Sequence, residues 1–188
     1  INILEKCDYM HGKNSMLYLD NAATTPLLPE VRKVMINYMV DNFGNPSSIY
    51  KIGRMNKIAV EEARKSIAET IGACPDDIFF TSGGTESDNW VLESAAESAT
   101  ESDSAHIIVS AIEHPAVINK CIQLKKRGCD VDYIKTDKNG IINTDDLISK
   151  IRDDTKLISV MLVNNEIGTI QPVKNVCNIA AEYAIPVH

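Results

Sequence analysis

The residues best suited to chemistry in this 188-residue chain lie in three short stretches: Ser82-Gly83-Gly84-Thr85, Glu113-His114 and Asn164-Asn165-Glu166. The first follows the β-rich apolar run Ile78-Phe79-Phe80 and leads straight into a helix-compatible run through Trp90. Glycines at such a strand-to-helix handover let the backbone approach a ligand closely, and the helix start gathers N–H groups and a favourable dipole for an anion. Thr85 is expected to add both an N-cap oxygen and a hydroxyl donor. The chemistry suggested is a phosphate cradle, although a plain glycine-containing βα turn accounts for the same residues. Neither familiar nucleotide loop is present: the lysine of Gly-x-x-x-x-Gly-Lys and the spacing of Gly-x-Gly-x-x-Gly are both missing.

His114 stands just past the apolar run Ile107–Ala111 and just before Pro115, a residue favoured at the first helical position. It is either a polar loop residue or a ring available to a ligand. Asn165 offers an amide donor to an oxygen on a ring, or simply serves the turn. The four histidines, at 11, 106, 114 and 188, show no metal spacing. Asp137 and Asn139 before Gly140 lack the downstream ligands of a calcium loop, so a tight turn suffices and no metal site is expected.

These stretches must be positioned by the elements around them. Val31, Val34, Met35, Tyr38 and Met39 fall on one helical face, expected to pack onto a core. A second helix carries Ile52, Met55, Ala59, Ala63, Ile67 and Ile71, capped by Ser47 or Ser48 and ended by Gly72. A third runs from the glycine turn to about Ala99, followed by a solvated loop, Thr100 to Ser104. Beyond it the pattern alternates: strand Ile107–Ala111, helix Pro115–Arg127, strand Val131–Lys135, a short helix from Thr144, strand Leu157–Val163, helix Pro172–Ala184. Almost continuously apolar strands alternating with helices predict an α/β fold, a three-layer α/β/α arrangement around a mostly parallel sheet. Ligands in such sheets bind beyond the carboxyl ends of the strands, where all three chemical stretches fall.

Composition narrows the function classes. The 26 acidic residues exceed the 19 basic ones for a net charge of −7, which argues against nucleic-acid or anionic-membrane partners. The five cysteines, at 7, 74, 121, 129 and 177, are odd in number and never form Cys-x-x-Cys, so a reducing, cytoplasmic setting fits better than a disulfide framework. No run approaches the ~18 apolar residues of a membrane span. Residues 1–15 are polar and irregular and are expected to be an extension or leader before Met16, with 16–188 forming one domain. Ile185-Pro186-Val187-His188 looks like the opening of a strand, so the domain is expected to continue beyond it.

Taken in order, Leu19-Asp20-Asn21-Ala22-Ala23-Thr24-Thr25-Pro26, Phe43-Gly44-Asn45-Pro46-Ser47-Ser48, Thr81-Ser82-Gly83-Gly84-Thr85-Glu86-Ser87-Asp88-Asn89, Glu113-His114 and Val163-Asn164-Asn165-Glu166-Ile167-Gly168-Thr169 resemble the N-terminal half of cysteine desulfurases, pyridoxal-phosphate enzymes of the class V aminotransferase group. The resemblance covers 16–188 and departs at Tyr50, where the family usually has histidine. It implies the cofactor-binding large domain of a fold-type I enzyme, incomplete at the C-terminus. It further implies that Gly84 and Thr85 hold the phosphate of pyridoxal 5'-phosphate, that His114 stacks on the ring as a catalytic group, and that Asn165 binds the phenolic oxygen and lies near the substrate carboxylate. The implied reaction takes L-cysteine to L-alanine, with the sulfur passed as a persulfide to an acceptor or scaffold protein for iron–sulfur cluster assembly or tRNA thiolation. The complete enzyme is implied to be a homodimer. Alternatives are another class V enzyme, such as a selenocysteine lyase or small-amino-acid aminotransferase, and a non-catalytic half of a split protein or scaffold.

The family's Schiff-base lysine, persulfide-carrying cysteine, substrate-binding arginine and the aspartate on the ring nitrogen have no counterpart in these 188 residues. The 188 residues alone are therefore expected to be inactive, and poorly soluble or self-associating through an open sheet edge. Incubating them with pyridoxal phosphate and L-cysteine should yield neither sulfide nor alanine above background; production of both would contradict this expectation.

Overall fold

The computed structural model describes residues 17–98 and 105–188. The expected leader at 1–15 and the expected loop at 100–104 lie outside the described residues. The chain divides into two compact units, one up to Ile78 and one from Phe79.

The first unit is built from two helices. Helix α1, Pro29–Val40, starts on proline at its first position and buries none of its residues. This corrects the expected packing of its apolar face: Val34 is 56% exposed and Met39 69%. A helical stripe states only that a face is apolar; burial needs a second surface, and the described residues of the first unit supply none. Helix α2, Lys51–Ile71, ends as expected on Gly72, whose φ of 72° is the left-handed conformation glycine takes without a Cβ penalty. Neither Ser47 nor Ser48 caps it; Tyr50 occupies that position without a side-chain hydrogen bond. The serines are used earlier, in a turn organised by Asn45, whose Oδ1 accepts from Ser47 N at 2.8 Å and whose carbonyl accepts from Ser48 N at 3.0 Å. From α2, buried Asn56 donates Nδ2 to the Asn42 carbonyl at 2.6 Å and the Gly44 carbonyl at 2.5 Å, bracing the loop.

The second unit is the α/β layer structure predicted by the alternation. After α3, Gly84–Glu97, come β1, His106–Ser110; α4, Pro115–Lys126; β2, Asp130–Ile134; α5, Thr144–Lys150; β3, Thr155–Ser159; and α6, Val173–Glu182. The strands are parallel in the order β2-β1-β3. Val187 bridges Ile158 in parallel, with His188 N donating to the Ile158 carbonyl at 2.8 Å, so the last residues extend the sheet beside β3. Alternating side chains serve opposite faces. Ile107, Val109, Val131 and Leu157 pack with Leu92 and Ala95 of α3 and Val117, Cys121 and Leu124 of α4. Ile108, Ile134, Ile158 and Val160 pack with Leu147 of α5 and Val176 and Ala180 of α6.

Strands β1 and β2 begin and end one residue earlier than expected, and two larger differences have a physical cause. Residues 78–81 join none of the three strands. Their β-rich side chains favour an extended backbone, but a strand also requires a neighbouring ladder. Strand β3 stops at Ser159 rather than Val163 because the chain then leaves the sheet: Val163 pairs antiparallel with Ile170, and Gln171 N donates to the Leu162 carbonyl. Asp137 to Gly140 form the expected turn, with Asn139 N and Ile141 N donating to Asp137 Oδ1 at 2.8 and 2.9 Å.

His106 opens β1 fully buried, its Nδ1 2.8 Å from Thr155 Oγ1 and its Nε2 3.4 Å from Asp132 Oδ2 without hydrogen-bond geometry. Burial holds its pKa below the usual 6.5 and Arg152 adds to this, against Asp132, Asp154 and Asp130. The folded state thus prefers the neutral ring, while the unfolded chain takes up a proton at 6.5. Stability from this residue is present above 6.5 and is lost as pH falls below it. Denaturant midpoints of the complete gene product at pH 7.5 and 5.5 should drop more steeply in wild type than in His106→Gln; equal slopes would exclude this role.

Candidate functional site

The carboxyl edge of the sheet is where β1 hands over to His114, where β3 hands over to Asn164 and Asn165, and where the terminal extended segment ends at His188. Helix α3 is tied to the same edge: Asp88, one turn in, lies 3.6 Å from His188 Nε2, whose Nδ1 is 3.0 Å from Ser159 Oγ at the end of β3. The start of α3 and the three strand ends therefore face one region, formed within the second unit alone.

At the start of α3 the sequence expectation needs one correction. Thr85 is not the N-cap; Gly83 is, with an extended backbone and no side-chain cap, and Thr85 is the second helical residue. Capping is done from inside the helix. The Glu86 carboxylate reaches back to accept from both Ser82 N and Ser82 Oγ at 2.6 Å, a variant of the reciprocal capping arrangement. Those two bonds hold its pKa below the ordinary glutamate value. Thr81 Oγ1 adds a 2.7 Å contact to Ser87 Oγ. With Glu86 committed to Ser82, the amides of Gly84 and Thr85 and the Thr85 hydroxyl have no protein partner among the described residues. A Cβ built on Gly83 or Gly84 would meet no heavy atom within 4 Å. Protein packing does not require glycine there, whereas close approach of a ligand to those amides would. Free N–H donors, a hydroxyl, a helix dipole and open space suit a phosphate or another small oxyanion.

His114 is the N-cap of α4, with Pro115 at the first helical position as its sequence context indicates. Its Nδ1 accepts from Ala116 N at 3.1 Å. This bond fixes the plane of an exposed ring and selects the tautomer carrying its proton on Nε2. A ring fixed by its own helix can stack on a flat ligand without first being ordered. Asn165 is exposed on a loop fixed by its neighbour. Asn164 is buried, its Oδ1 accepting from Glu166 N at 2.9 Å and Ile167 N at 3.0 Å, while Nδ2 donates to the Ile112 carbonyl at 3.0 Å.

Two residues inside those stretches, Glu113 and Asn164, carry structural roles that the sequence does not assign them. Glu113 accepts from Ser110 Oγ at 2.5 Å and from Met161 N at 2.6 Å through a single oxygen, joining the ends of β1 and β3. Burial raises its pKa, opposed by those two hydrogen bonds and by His188. Asn164 appears in sequence only as turn chemistry. The one available signal is adjacency, since each precedes a candidate ligand-binding residue. No group of three or more potential metal-binding side chains occurs among the described residues.

This geometry is that of an α/β protein with an open helix start and a fixed, exposed ring at the carboxyl edge of a parallel sheet. Residues 17–188 match the model of the aminotransferase class V family, and the chain belongs to that family. It is 51% identical over 176 residues to the cysteine desulfurase IscS of Methanosarcina thermophila, covering 94% of this chain and 43% of that protein. A NIFS-like protein of known structure superposes with a TM-score of 0.88 at 38% identity, covering 92% of this chain and 48% of that one. SspA in complex with cysteine gives the same TM-score and identity, over 92% of this chain and 50% of that chain. The chain thus spans about half the length of the relatives it matches.

Proposed function

We propose that this chain is the cofactor-binding part of a pyridoxal-phosphate-dependent cysteine desulfurase, with residues 16–188 forming the N-terminal part of its large domain. The observation that carries the reading is the shared position of an unsatisfied helix start at Gly84 and Thr85, a pre-oriented ring at His114 and an exposed amide at Asn165. Similarity to cysteine desulfurases and to a cysteine-bound SspA supports the choice of substrate.

The N–H groups of Gly84 and Thr85 and the Thr85 hydroxyl would hold the phosphate. His114 would lie against the pyridine ring, and Asn165 would donate to the phenolic oxygen and approach the substrate carboxylate. Pyridoxal phosphate, when bound, supplies an electron sink for bond breaking at cysteine's α-carbon and beyond. The role of these side chains is to keep ring and phosphate from rotating, so that cysteine meets a fixed plane. Overall, L-cysteine and an acceptor thiol give L-alanine and a persulfide: the C–S bond breaks, a C–H bond forms at the same carbon and an S–S bond forms on the acceptor. The enzyme works as a homodimer in the cytoplasm, delivering sulfur to an acceptor or scaffold protein. The free thiols at Cys74, Cys121, Cys129 and Cys177 support a reducing setting.

The complete gene product, supplied with pyridoxal phosphate, L-cysteine and a reductant, should release alanine and sulfide in equal amounts. Thr85→Ala should weaken cofactor binding about 10- to 100-fold, as expected for loss of a hydrogen bond to a charged group. Turnover of selenocysteine alone, or a keto-acid product, would assign a different class V reaction and contradict this one.

A further inference from the structure

We propose that Glu113 is a positioning residue that sets the spacing between His114 and Asn165, by bridging the ends of strands β1 and β3 through one carboxylate oxygen. The inference rests on the functional reading above for what those two residues hold, but the bridge itself is visible in the fold.

Oε1 of Glu113 accepts from the hydroxyl of Ser110, the last residue of β1, and from the backbone N–H of Met161, two residues beyond β3. Parallel strands β1 and β3 are paired through Val109 and Ser159. Past that point the ladder ends and the two chains separate, one into α4 and the other into the 164–168 loop. The spacing of the two loops is then set by side chains. Glu113 supplies one link. Asn164 supplies the second, donating Nδ2 to the Ile112 carbonyl. Both links run in the same sense, the second loop donating to the first: a backbone N–H to a carboxylate in one, a side-chain amide to a backbone carbonyl in the other. Each link is one residue away from a proposed ligand-binding side chain, so a slip of either loop moves His114 relative to Asn165.

Chain length decides which substitution preserves the bridge. Glutamine keeps an oxygen at the same reach, able to accept from both donors. Aspartate keeps the charge but is one methylene short, and alanine removes the acceptor and leaves Met161 N without its acceptor. The ordering expected for a positioning role is therefore glutamine near wild type, with aspartate and alanine both loosened. A role for the negative charge itself would reverse glutamine and aspartate.

The test compares wild type, E113Q, E113D and E113A of the complete gene product, first without cofactor. Amide hydrogen exchange in the 161–168 segment should quicken about tenfold or more in E113A and E113D, stay within about threefold in E113Q, and remain unchanged in α4 and α6. Pyridoxal phosphate binding should then weaken about tenfold in E113A, with a shifted absorption maximum as the ring loses its fixed contact, while E113Q keeps the wild-type band. Unchanged exchange in E113A, or E113Q as loose as E113A, would overturn the bridge. Wild-type protein that binds no pyridoxal phosphate would overturn the functional reading, while the exchange comparison still decides whether Glu113 joins the two strands.

Discussion

Everything in the site depends on the parallel pairing of β1 with β2 and β3. Parallel strands cannot be joined by tight turns, so each must be followed by a crossover that starts at its carboxyl end. That constraint collects the β1–α4 connection, the chain leaving β3 and the terminal segment at one edge. Strand β1, buried at all five positions between a layer of α3 and α4 and a layer of α5 and α6, holds the arrangement rigid. Loss of that register would scatter the site before altering any residue in it.

At the edge the carboxylates and the donors are kept apart by prior commitments. Glu86 is engaged by Ser82, Glu113 by Ser110 and Met161, and Asp88 lies beside His188. Three acidic side chains near a proposed anion site would otherwise oppose an anionic ligand by like-charge repulsion. Hydrogen bonds that hold Glu86 and Glu113 to the protein fix where their charge sits, leaving the amides of Gly84 and Thr85 for a ligand. Capping from Glu86 rather than Thr85 has the same consequence, because it leaves the threonine hydroxyl uncommitted.

The layered α/β fold and the placing of the candidate residues at strand ends and helix starts are legible in the sequence because each rests on local pattern. Apolar runs such as Ile107 to Val109 carry the strand signal, and Pro115 after His114 carries the helix start. What is not legible depends on a second surface or a distant partner. The stripe on α1 and the β-rich run at 78–81 state a preference that only a neighbour can satisfy. The apolar run continues past the end of β3 from Val160 to Val163, yet the Glu113 carboxylate, 48 residues earlier, takes up Met161 N. Glu113 and Asn164 are ordinary loop residues by type, and their importance appears only when β1 and β3 lie side by side.

The most direct measurement of the central claim is a crystal structure of the complete gene product with pyridoxal phosphate. The phosphate is expected on the Gly84 and Thr85 amides and the Thr85 hydroxyl, the ring against His114, and the Asn165 amide at the phenolic oxygen. A cofactor bound with its phosphate beyond hydrogen-bond distance of Gly84 and Thr85, about 3.5 Å, or with its ring away from His114, would contradict it.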